Sequence, residues 1–142
     1  MKKLTIKWQR VVENNTTCLR CSETEQELEK AYIKLRESLK LLNIEVIIEK
    51  NSLDRTEFSK NPLSSNQILI NDRPLESWLA AETGKSQCCS VCGDEHCRTI
   101  IVGNNVYETI PENLIVMACL KAASELIPEK NNFIKIKIKE IS

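Results

Sequence analysis

Glycine is scarce in this chain, which has only Gly84, Gly93 and Gly103 in 142 residues. A phosphate-cradling loop of the Gly-rich kind cannot be built from so few. Histidine is scarcer still: His96 stands alone. That excludes a metal site with several imidazole ligands, and no Ser-His-Asp arrangement can be specified. Aromatic residues make up 4% of the chain, so a stacking platform for single-stranded nucleic acid is not expected. Trp8 and Trp78 read as packing residues, and the core must come mainly from Leu, Ile, Val and Ala. An excess of one charge is also missing. Lys plus Arg number 20 and Asp plus Glu number 20, for a pI near 6.6, which argues against nucleic acid as a partner. Long apolar runs are absent too. The longest, residues 114–120, falls far short of the roughly 20 residues a membrane helix needs.

The opening Met1-Lys2-Lys3 imitates the start of a signal peptide. Lys7, Gln9 and Arg10 then interrupt any apolar stretch, and no small-x-small cleavage site follows. The expected location is therefore the cytoplasm, with no membrane partner. Against this plain background stand seven cysteines. In a compartment that keeps thiols reduced, clustered cysteines indicate redox or metal chemistry rather than a disulfide framework.

Hydrophobic periodicity predicts an α/β domain over residues 1–142. Leu4, Ile6 and Trp8 alternate with polar residues as a strand, and Asn14 to Thr17 form a polar loop into Cys18. Leu28, Ala31, Tyr32, Leu35, Leu39 and Leu42 form one helical stripe that Asn43 ends. Ile44, Val46 and Ile48 give a second strand. A long helix between two strands is a βαβ unit, which requires parallel pairing. Asp54 and Glu57 make a capping box for a short helix closed at Asn61-Pro62. Ile68 to Ile70 is a brief strand, Asn71-Asp72 a tight turn, and Leu75 to Leu79 a helix entered through Pro74. Residues 83–98 lack periodicity and read as an irregular Cys-rich loop. Thr99 to Val102 and Val106 to Glu108 read as a hairpin through Gly103. Thr109 and Glu112 form a capping box for a last helix with Pro111 in its first turn. That helix should bury Ile115, Ala118, Cys119, Ala122 and Leu126, which makes Cys119 a core thiol. In the tail, residues 129–142, Ile134, Ile136 and Ile138 alternate with lysines as an edge strand.

Cys18-Leu19-Arg20-Cys21 follows a strand and precedes a long helix. At such a place the first thiolate can attack a disulfide and the second can resolve the mixed disulfide. The partial positive charge of the helix N-terminus favours the attacking thiolate, and Arg20 would add to that field. Cys18 is thus the candidate attacking residue and Cys21 the resolving one, with a thiol or disulfide compound as partner. Ser22-x-x-Glu25 is itself a capping box, however, and would start the helix after Cys21, leaving both sulfurs one turn short of it. Half of a metal site, or a plain reduced pair, are the other readings of these two cysteines.

Cys88, Cys89, Cys92 and Cys97 fall within ten residues, and Cys89-x-x-Cys92-Gly93 resembles a zinc knuckle. The favoured ligand set is Cys89, Cys92 and Cys97 with Cys88 or His96, because adjacent Cys88 and Cys89 diverge. Zinc is the expected metal. An iron–sulfur cluster suits thiolates also, but the spacing matches neither common ferredoxin run. A single site drawn from Cys18, Cys21, Cys89 and Cys92 is a sharper alternative. The main competitor to redox activity is a non-enzymatic metal- or metalloid-binding module in which all these thiolates are ligands. His96 and the neighbouring Asp94-Glu95 read as solvated loop residues.

Several motifs together resemble a known family. They are Lys7-Trp8-Gln9-Arg10, Thr17-Cys18-x-x-Cys21, Asn61-Pro62-Leu63-x-Ser65-Asn66, Ile70-Asn71-x-Arg73-Pro74-Leu75-Glu76-x-Trp78-Leu79 and Cys88-Cys89-x-x-Cys92-Gly93-Asp94-x-x-Cys97-Arg98-Thr99. They are similar to the prokaryotic family called domain of unknown function 2703, and the likeness runs up to the last helix. That family is usually placed among thioredoxin-like proteins, so the resemblance implies a thioredoxin-like fold: a βαβ unit with the Cys-x-x-Cys, then ββα, with the Cys-rich loop inserted. Thioredoxin-like enzymes carry a cis-proline just before the third strand, facing the thiols. Ser64-Ser65-Asn66-Gln67 stands there instead. Its loss argues against a general protein-disulfide reductase and leaves thiol chemistry at Cys18 and Cys21 open.

Overall fold

In a computed structural model, which describes residues 1–87, 96–127 and 139–141, the alternation of the first segment produces strand β1 over Lys2–Val11. Leu4, Ile6 and Trp8 are fully buried on one side of it. Helix α1, Leu19–Lys40, follows with Leu28, Ala31, Leu35 and Leu39 buried. Its stripe is shorter than the periodicity implies: Leu42 lies beyond the helix and is about half exposed. Asn43 takes a left-handed conformation, φ 60°, which turns the chain into β2, Ile44–Leu53. β2 runs parallel to β1 from Lys2↔Ile44 to Val11↔Leu53, the pairing a βαβ crossover demands.

Asp54 and Glu57 form both bonds of the expected capping box on helix α2, Arg55–Lys60. A 3-10 turn at Pro62–Ser64 leads to β3, Gln67–Ile70, antiparallel to β1. Asn71 and Asp72 both have positive φ, 47° and 66°, as a tight hairpin turn requires. β4 is Arg73–Pro74, and helix α3, Leu75–Leu79, starts immediately after it. The resulting sheet has the order β2-β1-β3-β4.

The second half keeps the expected hairpin through Gly103 but departs from expectation in what precedes it. Residues 82–87 and 96–98 are not irregular: β5, Glu82–Gln87, pairs antiparallel with β6, His96–Val102, and β7, Asn105–Tyr107, pairs on the far side of β6. These three strands form a separate sheet. Periodicity missed β5 and the start of β6 because β5 is mostly polar and exposed while both faces of β6 are buried from Cys97 to Ile100, Arg98 and Thr99 included. Gly84 permits the close pairing, since a Cβ there would lie 2.5 Å from Thr99 Oγ1.

Helix α4, Glu112–Glu125, buries Ile115, Ala118, Cys119 and Ala122 as expected. Its predicted capping box does not form. Thr109 Oγ1 donates to Glu23 Oε2 at 2.9 Å, and Glu27 Oε1 accepts the Glu112 N–H at 3.2 Å. Carboxylates of α1 thus take the place of a local cap. The faces of β1, β3, α1 and α4 meet in one core containing Ile6, Trp8, Leu28, Leu35, Ile70 and Ile115. No helix among the described residues is long and apolar enough to cross a membrane. The expected tail strand lies almost wholly outside the described residues.

Candidate functional site

β1 ends at Val11, and a turn through Asn14 and Asn15, both with positive φ, brings the chain back. Thr17 Oγ1 donates to the Val11 carbonyl at 2.8 Å, fixing the residue before Cys18. Cys18 is the N-cap of α1, and its Sγ accepts the Cys21 N–H at 3.5 Å. The helix therefore begins before Cys21, not after it. Ser22 lies inside the first turn, where its N–H bonds Cys18 O at 2.9 Å, and the Ser22–Glu25 capping box is not used as a start. The sulfur of Cys18 thus stands at the N-terminus of a 22-residue helix, where orphan N–H groups and the dipole favour a thiolate.

Both thiols are covered, Cys18 at 2% exposure and Cys21 at 0%. The Cys21 thiol is pushed far above its ordinary range. Its hydrogen bond to Cys18 is the main cause, followed by burial and the charge of Cys18, while the hydroxyls of Ser65 and Thr17 oppose the rise. The two cysteines are therefore unequal: ionisation of one sulfur holds the proton on the other.

Ser65 is a residue that sequence reasoning passed over. It precedes β3, where the family resemblance would place a cis-proline, and no peptide bond among the described residues is cis. Its Oγ lies 3.8 Å from Cys21 Sγ and accepts the Val11 N–H at 3.1 Å. Nothing local in Ser64-Ser65-Asn66 marks this role, because both partners come from distant segments. Asn66, at φ 58°, continues the network. It accepts from Trp8 Nε1 at 3.2 Å and donates to Glu108 O at 3.1 Å.

Arg20 does not simply add positive charge beside the sulfurs. Its side chain crosses to the second sheet, where Nη2 donates to Ser86 Oγ at 2.9 Å and Gln87 O at 3.1 Å and meets Glu108 Oε2 at 3.1 Å. Its buried Nη1 has no hydrogen-bond partner among the described residues. A second arginine ties that sheet to α3: Arg98 Nε and Nη2 lie 2.7 and 2.6 Å from Glu76 Oε2, and Nη1 donates to Leu63 O at 2.6 Å.

Of the second cysteine group, Cys88, Cys89 and Cys92 lie outside the described residues. Cys97 belongs to β6 rather than a loop and is fully buried, whereas His96 beside it is exposed. That orientation removes His96 from the company of Cys97 on one strand face. Among the described residues no three metal-ligating side chains come together. Cys119 is buried on α4, and burial pushes its thiol up to about 12. Trp8 and Trp78 are packing residues, with Trp78 Nε1 donating to Ile70 O at 3.0 Å. A surface groove lined by Glu27, Lys34, Pro111, Glu112 and Met117 carries no thiol.

Among known proteins the chain has relatives by sequence. No solved structure matches it. An uncharacterized protein of Archaeoglobus fulgidus is 43% identical over 113 residues, covering 80% of this chain and 82% of the relative. The family model described as "Domain of unknown function (DUF2703)" matches residues 4–119, a span that contains Cys18, Cys21, Ser65 and Arg98. The chain belongs to that family.

Proposed function

We propose that this is a thioredoxin-like thiol protein whose Cys18 and Cys21 carry out thiol–disulfide exchange, and whose Cys88, Cys89, Cys92 and Cys97 hold a metal ion, zinc by their chemistry. The observation that carries the reading is Cys18 at the N-cap of α1, its sulfur receiving the Cys21 N–H. The strand order β2-β1-β3-β4, with β2 parallel and β3 antiparallel to β1, supports the thioredoxin-like part. So does the position of Ser65 beside Cys21, immediately ahead of β3.

The exchange runs in two displacements. The Cys18 thiolate attacks one sulfur of a substrate disulfide, forming a mixed disulfide and releasing the first substrate thiolate. Cys21 then passes its proton to the released substrate thiolate and attacks Cys18 Sγ, so that the second substrate sulfur leaves as a thiolate and is protonated by water. The substrate gains two electrons, the protein is left with a Cys18–Cys21 disulfide, and an external dithiol returns it to the reduced state. Both sulfurs are buried, so the chain around them must move aside for substrate. A metal held by the second group contributes to folding rather than to the exchange, since structural thiolate sites stabilise the folded chain directly.

Metal content of Cys92→Ser and Cys18→Ser proteins, purified without chelators, tests this division. Cys92→Ser should lose the metal. Cys18→Ser should retain it and lose the reversible disulfide. Loss of metal from both variants would mean one shared set of thiolates and would overturn exchange at Cys18 and Cys21. A metal-free wild type would overturn the metal half of the reading.

A further inference from the structure

We infer that Ser65 is a positioning residue for the second displacement, donating its hydroxyl hydrogen to the Cys21 sulfur as that sulfur turns nucleophile. This rests on exchange at Cys18 and Cys21. Ser65 is fully buried, so no bulk water competes for its hydroxyl. Its oxygen accepts the Val11 N–H at 3.1 Å, which occupies one lone pair and turns the O–H away from β1. Cys21 Sγ, at 3.8 Å, is the partner on the other side. Thr17 also lies against Cys21, but its single hydroxyl hydrogen goes to Val11 O at 2.8 Å. Ser65 is therefore the hydroxyl whose proton can serve sulfur.

The need for such a donor follows from the rest of the site. The first displacement uses Cys18, where the start of α1 favours the thiolate. Once Cys18 is bound to substrate sulfur, its charge is gone and Cys21 must ionise in a buried place. Among the described residues, the side chains that bear on Cys21 ionisation are Cys18, the N-cap of α1, Thr17 just before it and Ser65 from the segment before β3. Arg20, the nearest cation in sequence, is engaged by Glu108, Ser86 and Gln87. The developing Cys21 thiolate thus depends on the Ser65 hydrogen bond, a donor that strengthens as negative charge gathers on sulfur.

The two displacements can be followed separately with 5,5′-dithiobis(2-nitrobenzoate). Acid quenching and mass spectrometry then distinguish the Cys18 mixed disulfide from the Cys18–Cys21 disulfide. In Ser65→Ala the first step should stay within about twofold of wild type. The second should slow tenfold or more, with its pH profile moved to higher pH. Ser65→Thr, which keeps the hydroxyl, should restore the second step to within about threefold. An unchanged second step in Ser65→Ala, or equal slowing of both steps, overturns the inference. Should Ser65→Ala not fold, the wild type carries the test by NMR. With Cys18 S-methylated as a thioether, which leaves Cys21 no disulfide to attack, the Ser65 hydroxyl proton should move downfield as Cys21 ionises, and a stationary signal overturns the inference. If the wild-type Cys18 mixed disulfide never converts to Cys18–Cys21, the exchange reading itself falls, a result distinct from any Ser65 effect.

Discussion

Arg20 Nη2 lies 3.1 Å from Glu108 Oε2, joining the residue between the two cysteines to the segment after β7. The arginine side chain is 8% exposed and the glutamate 61%, so the ion pair alone contributes little in so wet a setting. The hydrogen bond from Arg20 to Gln87 O, which ties the end of β5 to the first turn of α1, matters more. Glu108→Gln should therefore lower stability by less than about 1 kcal/mol. Arg20→Ala, which strands the acceptors, should cost about 1–3 kcal/mol. Urea unfolding checks the order. Native alkylation of Cys18 should also speed up at least tenfold in Arg20→Ala; an unchanged rate would show that Arg20 does not hold the cover.

The Arg98–Glu76 pair is buried on both sides, at 9% and 5% side-chain exposure. Thr83 Oγ1 adds a third donor to Glu76 Oε2 at 2.7 Å. Removing one partner leaves a buried charge, so Glu76→Ala should cost about 3–5 kcal/mol. Replacing both residues with Met should cost less than that single change, because no charge is stranded. A double variant less stable than Glu76→Ala in urea would contradict this.

Cys119 provides a pH test. Its thiol rises from 9.0 to about 12 in the folded chain because burial disfavours the thiolate. Below pH 9 both folded and unfolded forms carry the proton, and Cys119 adds no pH dependence. Between about 9 and about 12 the unfolded chain loses that proton first, so stability should fall as pH rises. Cys119→Ala should remove this part of the alkaline decline while costing stability near neutrality through the space it leaves. Parallel denaturation curves against pH for the two proteins measure it.

Cys18 and Cys21 should alkylate in a fixed order. Cys21 keeps its proton because of Cys18 and burial, and thiolate fraction sets the rate. Iodoacetamide at mildly acidic pH should label Cys18 first, and Cys119 should stay unlabelled until the chain unfolds. Preferential labelling of Cys21, read by peptide mass, would reverse the assigned roles.

The βαβ unit was legible because Leu4-Ile6-Trp8 and Leu28-Ala31-Leu35-Leu39 bury apolar faces with clean periods. Asp54 with Glu57, and Asn71-Asp72, were legible because their partners are local. In the second sheet the hairpin of β6 and β7 was legible, but β5 and the start of β6 were not. Cys97, Arg98, Thr99 and Ile100 are all buried, on both faces of β6, with Arg98 held by Glu76, Leu63 and Thr83, and a period of apolar residues cannot register such polar burial. The start of α1 was misplaced because Ser22-x-x-Glu25 is a valid box that Cys18 outcompetes. The cap of α4 was lost to Glu23 and Glu27, which arrive from α1. At the site, spacing alone picked out Cys18 and Cys21. Ser65 has no local signature; only the resemblance, which sets Ser64-Ser65-Asn66-Gln67 where a cis-proline would face the thiols, pointed to its segment, and its role exists only once β1, α1 and the approach to β3 converge.

The most direct measurement is a redox titration of the intact protein in graded mixtures of reduced and oxidised dithiothreitol, quenched with acid and read by peptide mass. The account expects one reversible two-electron transition that joins Cys18 to Cys21 and leaves Cys119 a thiol throughout. Failure of Cys18 and Cys21 to form a reversible disulfide at any ratio would contradict it.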